Sequence, residues 1–348
     1  MLPAPLPPFF SADFSGTNSP VIAFEDGSQA SGLSRFTLVS GTPEKRYLVE
    51  AMSGGVCLLD YDRDGLLDIY FVNGGRMESF RSGSSSGVRN ALFRNQGNRS
   101  LRDVTEEAGV GGNGSWGYGC SVADYDNDSW PDLYVTNYGP NVLYRNLGDG
   151  RFEDVTSAAG VGDPRWSTGS AWADYNGDGW ADLFVANYIE LDPKNLPEPG
   201  SERYGSMAGG NACRYVGLPV MCGPRGLPGA SDTLYRNNGN GTFTDVSKSA
   251  GVQDPDKHDG LGAIWCDFDG DGLPDLYVAN DSTPNFLYRN RGDGSFGEMG
   301  YLSGVAVSGQ GQEQAGMGVA CGDFDNSGQL AIYVTNFSED TNTLYRHD

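Results

Sequence analysis

The stretch Asp267-Phe268-Asp269-Gly270-Asp271-Gly272-Leu273-Pro274-Asp275 decides the fold, because it recurs. Asp60-Tyr61-Asp62-Arg63-Asp64-Gly65-Leu66-Leu67-Asp68 has the same frame. So do Asp124–Asp132, with Ser129 in the glycine place, and Asp174–Asp182, with Asn176 for the second acid. A fifth copy, Asp323-Phe324-Asp325-Asn326-Ser327-Gly328-Gln329-Leu330-Ala331, is degraded.

The spacing suits calcium, a hard cation that takes six to eight oxygens at roughly 2.3–2.6 Å. Acids at positions 1, 3 and 5 of a tight loop turn toward one centre. A glycine at position 6 permits the sharp turn. The carbonyl of position 7 faces the ion, and the acid at position 9 closes the cage. The expected ligands are Asp60, Asp62, Asp64, Leu66 and Asp68 in loop 1, and Asp124, Asp126, Asp128, Trp130 and Asp132 in loop 2. Loop 3 offers Asp174, Asn176, Asp178, Trp180 and Asp182; loop 4 offers Asp267, Asp269, Asp271, Leu273 and Asp275. Loop 5 keeps Asp323, Asp325 and Ser327 but ends in Ala331, so four calcium ions are expected, with a fifth site weak or empty. An EF-hand requires Glu at position 12 and flanking helices. Here position 12 is Phe71, Val135, Val185, Val278 or Val334, and Leu276-Tyr277-Val278-Ala279 is strand sequence.

The chain has 348 residues, with Gly 52, Tyr 18 and Phe 16, and no sustained 3.6-residue apolar period. That composition predicts short strands and tight turns with little helix. The formal charge of −23 argues against nucleic acid as a partner. Seventeen of the acids lie in the five loops, so the acidity reads as cation-binding capacity. No apolar run of about 18 residues predicts a membrane span. Millimolar calcium and lasting disulfides belong outside the cytoplasm, which favours a secreted, surface or periplasmic protein.

Residues 1–20 read as a loose Pro- and Ser-rich arm, and 21–348 as the folded unit, with an insertion at about 189–230. Within one repeat, Gly119–Ala123 is a strand entering the loop and Asp132–Thr136 a strand leaving it. Asn141–Asn146 is a third strand, Gly148-Asp149-Gly150 a hairpin turn and Phe152–Thr156 a fourth strand. Four antiparallel strands per repeat make one propeller blade, so the fold class is all-β, a five-repeat β-propeller. Phe24-Glu25-Asp26 looks like a lone fourth strand, and the third-strand triplet recurs last at Leu344-Tyr345-Arg346. Together they predict a five-bladed ring in which the N-terminal strand completes the last blade. The alternative is part of a seven-bladed propeller.

The loop with its strand, Asp267 to Asn280, and Leu143-Tyr144-Arg145-Asn146 with Gly148-Asp149-Gly150 and Phe152, resemble FG-GAP/VCBS repeats, the units of integrin-α-like propellers. The segment Cys213-Arg214-Tyr215 to Met221-Cys222-Gly223-Pro224-Arg225-Gly226-Leu227 is similar to the insertion of bacterial cartilage-acidic-protein-like proteins, which often carry an ASPIC/UnbV domain. The resemblance implies a calcium-bound propeller in a secreted or surface-attached protein, assigned to adhesion or binding.

Cys213 and Cys222 are expected to form a disulfide stapling the insertion, worth about 2–3 kcal/mol for so short a ring. Cys57, Cys120, Cys266 and Cys321 stand in first strands and read as small buried hydrophobes. Of the tryptophans, Trp116, Trp166, Trp172 and Trp265, like Trp130 and Trp180, are expected in blade packing. Any that are exposed, or Tyr188, Tyr204 and Tyr215, are candidates for stacking on sugars. Two histidines, His258 and His347, and no G-x-S-x-G elbow give no catalytic constellation. The expected role is therefore a monomeric, non-catalytic module for an extracellular protein or glycan. A polysaccharide lyase or glycosidase, and a purely structural module, are the alternatives.

Overall fold

The computed structural model describes residues 24–201, 213–215, 217–337 and 340–347. The expected N-terminal arm and Tyr204 lie outside them. Blade 1 comprises β1 (Gly55–Leu59), β2 (Asp68–Val72), β3 (Ala91–Asn95) and β4 (Leu101–Asp103). Blade 2 comprises β5 (Trp116–Ala123), β6 (Asp132–Tyr138), β7 (Val142–Asn146) and β8 (Phe152–Asp154). Blade 3 begins with β9 (Ser167–Ala173) and β10 (Asp182–Asn187). Next comes the insertion, with a hairpin of β11 (Arg214–Tyr215) and β12 (Leu218–Pro219); β13 (Thr233–Asn237) and β14 (Phe243–Asp245) then complete the blade. Blade 4 comprises β15 (Gly260–Cys266), β16 (Asp275–Asn280), β17 (Phe286–Asn290) and β18 (Phe296–Glu298). Blade 5 comprises β19 (Gly316–Gly322), β20 (Ala331–Asn336) and β21 (Thr343–Tyr345). Pairing within each blade is antiparallel between neighbours in sequence. The result is an all-β, five-bladed β-propeller, its first strands stacked in chain order around the axis.

Sequence chemistry explains the blade. The second strands are apolar on successive positions because each is covered on both faces by neighbouring blades. β10 and β16 are buried at every residue. Glycine begins the tightest part of each first strand, where strands converge. A Cβ on Gly119 would come within 2.6 Å of the Thr168 carbonyl, and one on Gly169 within 2.6 Å of the Leu261 carbonyl. The loop aromatic at position 2 packs on the next blade's fourth-strand Phe: Tyr61 on Phe152, Tyr125 on Phe243, Tyr175 on Phe296. One-turn helices follow the fourth strands, as at Thr156–Ala159, and end at a left-handed glycine such as Gly160.

The end of the axis away from the loops is plugged by aromatic side chains. Trp116, Trp166 and Tyr188 pack there with Tyr47 and Phe80. The insertion is tied to this plug by Glu198, which accepts hydrogen bonds from the Tyr47 hydroxyl at 2.6 Å and Arg46 at 2.8 Å. Tyr188 is fully buried and donates to Asp281, so it is no stacking platform.

One detail differs from expectation. Phe24 lies in coil, 95% exposed, and β21 has no fourth-strand partner among the described residues. Residues 28–31 form a helical turn ended by left-handed Gly32, which packs against the Leu101 carbonyl of blade 1. Gly109, Gly160 and Gly251 stand in the same relation to Phe152, Phe243 and Phe296. Gly32 thus stands to blade 1 as the glycine after each fourth strand stands to the blade that follows it. Val56 and Leu58 of blade 1 are 60% and 58% exposed, and Tyr333 and Leu344 of blade 5 are 41% and 46% exposed.

Candidate metal centres

Each loop joins the first two strands of a blade and has the same internal wiring. In loop 1, the Asp60 carboxylate accepts the N–H groups of Asp64 and Gly65, both at 3.0 Å. Loops 2, 3, 4 and 5 repeat this with Asp124, Asp174, Asp267 and Asp323. The turn needs two left-handed residues: position 6 (Gly65, Ser129, Gly179, Gly272, Gly328) and also position 4 (Arg63, Asn127, Gly177, Gly270, Asn326). The requirement at position 4 was not read from the sequence. Arg63, Asn127 and Asn326 all occupy it without glycine.

Position 7 has a further role. The side chains of Trp130 and Trp180 cover the hairpin glycines Gly148 and Gly239 of the same blade, and Leu273 covers Gly292. These half-buried rings are committed to the turn.

The position 9 acid is the most buried part of the loop. Asp68, Asp132, Asp182 and Asp275 are at most 2% exposed. One oxygen of Asp132 accepts the Tyr125 N–H at 3.1 Å and the other the Asn146 N–H at 2.8 Å. Asp68, Asp182 and Asp275 make the same two bonds. This acid therefore staples the loop to the third strand as well as facing the centre. Burial raises the pKa of Asp68 and Asp275 to about 6, of Asp182 to about 7 and of Asp132 to about 8. The two backbone N–H groups oppose the rise, and the neighbouring loop acids add to it. Loop 5 has Ala331 here and lacks the staple.

Three loops bring their acids together. Carboxylate oxygens of Asp60, Asp62 and Asp68 lie within 4.8 Å of one another, as do those of Asp124, Asp126 and Asp132, and of Asp267, Asp269 and Asp271. Such separations are what oxygens around one calcium span. The Oδ1 atoms of Asp62 and Asp126 are buried without a hydrogen-bond partner. A buried carboxylate oxygen without a donor is costly, and a cation supplies what it lacks. The donor set fits a hard divalent ion. In loop 3 the neutral Asn176 replaces one acid, and its Oδ1 accepts the Asp178 N–H at 3.0 Å. In loop 5, Asp325 Oδ1 accepts the Ser327 N–H at 3.1 Å.

The cysteines correct one expectation. Cys57 is bonded to Cys120 and Cys266 to Cys321, as Cys213 is to Cys222. The first two pairs join neighbouring first strands, blade 1 to blade 2 and blade 4 to blade 5. Sequence separations of 63 and 55 hid them. The stacking of successive inner strands brings them together.

His258 Nδ1 lies 2.8 Å from Asp254, which also accepts the His258 N–H. Burial lowers its pKa, but the Asp254 hydrogen bond and charge outweigh this and hold it above the ordinary value. Away from the loops, Asp163 is fully buried and satisfied by Arg165, Asn187 and Thr233. No helix among the described residues is long and apolar enough to cross a membrane.

A family model for the FG-GAP-like repeat matches residues 60–135, 124–185, 226–278 and 267–334. Three of the four matches begin at the first aspartate of a loop, so the repeat unit straddles two blades. Among known proteins, the chain is 27% identical to cartilage acidic protein 1 of Homo sapiens over 318 residues, 84% of this chain and 40% of that protein. It is 28% identical to the Mus musculus protein over 314 residues, again 84% of this chain and 41% of that protein. The chain therefore spans about two fifths of the length of these relatives. A solved lectin structure from Agrocybe aegerita, described as recognising non-reducing terminal N-acetylglucosamine, aligns over 81% of this chain and 60% of that chain. Its TM-score is 0.39 and its identity 18%. The repeat matches cover most of the blades, and the chain belongs to the FG-GAP-like repeat family.

Proposed function

We propose that this chain is a calcium-binding propeller module of the extracellular space that binds a protein or glycan without catalysing a reaction on it. The observation that carries the metal reading is the pair of buried, partnerless oxygens, Asp62 Oδ1 and Asp126 Oδ1, inside clusters of converging carboxylates. Loops 1, 2 and 4 are the strong sites, loop 3 weaker for want of an acid, and loop 5 weakest. The ion is structural: it ties the turn between two strands, and its binding free energy adds to folding. Three disulfides support a compartment that keeps them oxidised. The position 9 acids, already stapling strands, are unsuited to general acid–base work. Titration calorimetry of the ion-stripped chain with calcium tests the metal claim; absence of binding heat overturns it. An array of glycans and matrix proteins, probed with and without EDTA, tests the module. Binding in calcium supports it, and turnover of a polysaccharide overturns the non-catalytic reading.

A further inference from the structure

The acids of three loops are already shared with a cation of the chain itself. Arg94, on β3, sets its Nε 2.6 Å from Asp62 Oδ2 and a terminal nitrogen 3.2 Å from Asp64 Oδ2. Arg145, on β7, does the same at 2.7 Å from Asp126 and 3.6 Å from Asp128. Arg289, on β17, pairs with Asp269 and lies 3.4 Å from Asp271. In every case the guanidinium takes the outer oxygen, Oδ2. In loops 1 and 2 the oxygen left over, Oδ1, is the buried partnerless one. Blade 3 supplies an internal control. Its position 3 is Asn176, and Arg236, the matching arginine on β13, makes no ion pair with the loop among the described residues. It nevertheless lines the same recess as Asn176 and Asp178.

We propose that Arg94, Arg145 and Arg289 are built-in counter-cations, which hold their loops together without an ion and oppose the ion when it binds. This rests on the calcium reading above. The physical argument is linkage. Guanidinium and metal ion are attracted by the same two carboxylates and repel one another, so each weakens the other's hold. Without the arginine, the acids at positions 3 and 5 repel across the ion-free loop. The ion-free state therefore loses more than the loaded state, and the ion binds more tightly. These arginines position ligands and keep the empty loop closed; they are not themselves ligands.

The test compares R94Q/R145Q, the single variants R94Q and R289Q, the conservative R94K, and the control R236Q. Calcium affinity is read by titration calorimetry, and melting temperature is read in EDTA and in calcium. The double variant is expected to melt several degrees lower in EDTA and to lose less in calcium. Its two altered sites should bind calcium about three- to fivefold more tightly, the size of a partly exposed charge pair. R94K should fall between wild type and R94Q, and R236Q should stay within about twofold of wild type on the same scale. Should the double variant fold only with calcium, that supports the proposal, and the single variants supply the affinities. Unchanged or weaker binding in the arginine variants, or an equal change in R236Q, overturns it while leaving the calcium reading intact. A wild-type chain that binds no calcium overturns both.

Discussion

Raising the pH should destabilise the ion-free protein more than the calcium-loaded protein. The position 9 acids set this sign. Burial raises their pKa above the unfolded value of 3.8, to about 6 for Asp68 and Asp275, about 7 for Asp182 and about 8 for Asp132. The folded ion-free chain thus holds protons that the unfolded chain releases, and stability falls as pH climbs from about 4 toward 8. For Asp132, 1% exposed, the full rise from 3.8 to about 8 corresponds to about 6 kcal/mol. Relaxation and water access at the loop reduce this to about 2–3 kcal/mol per site. In a chain of 348 residues each kcal/mol moves the melting temperature by about 1–2 °C, so one loop is worth about 3–4 °C and the four loops together more. A divalent ion stabilises the ionised form and cancels the penalty. Asp259, held at about 8 by burial and by Asp281, titrates in the same window but lies outside the loops, so it affects both states equally. The discriminating quantity is therefore the difference between melting temperatures in calcium and in EDTA. Measured by scanning calorimetry at pH 5.5 and 8.0, it should grow by at least about 5 °C toward the higher pH. A difference that is constant or shrinks would refute the reasoning.

Three other changes probe the blade joints. Asn146 donates from Nδ2 to the Tyr61 carbonyl of blade 1 at 2.8 Å and to the Pro131 carbonyl at 3.1 Å, so Asn146→Ala should cost about 2–3 kcal/mol in urea unfolding. Ser129 is held at φ 75°, where glycine is at ease; Ser129→Gly should stabilise by about 0.5–1 kcal/mol, and a loss would show that the hydroxyl contributes to the site. A non-reduced digest should yield a Cys57–Cys120 linked peptide, and replacing both by alanine should cost about 2–4 kcal/mol.

The loops were legible because aspartate spacing, a turn residue and a following strand coincide at each copy. The blade count followed from the loops together with the Leu-(Tyr/Phe)-Arg triplets. What stayed hidden depends on contacts between strands distant in sequence, within a blade or between blades. Cys57 and Cys120 are unremarkable in sequence and meet only because successive first strands stack. Phe24-Glu25-Asp26 carries a fourth-strand signature, yet where it docks is set by the packing of Gly32 on blade 1, which no local pattern reports. The ion pairs of Arg94, Arg145 and Arg289 belong to the same class: a recurring arginine is visible, but its partner lies across the sheet. The dual use of Asp132 as staple and loop acid shows only once the third strand is beside it.

The most direct measurement is the calcium content of the purified chain after exhaustive dialysis into trace calcium, by elemental analysis, beside the double variant Asp62→Asn/Asp126→Asn. The account predicts about three ions in the wild-type chain, from the three loops whose acids can span one cation, and two fewer in the variant, whose altered loops then carry the position 3 asparagine of the weaker loop 3. A wild-type chain that retains none, or a variant that retains as many as wild type, would contradict it.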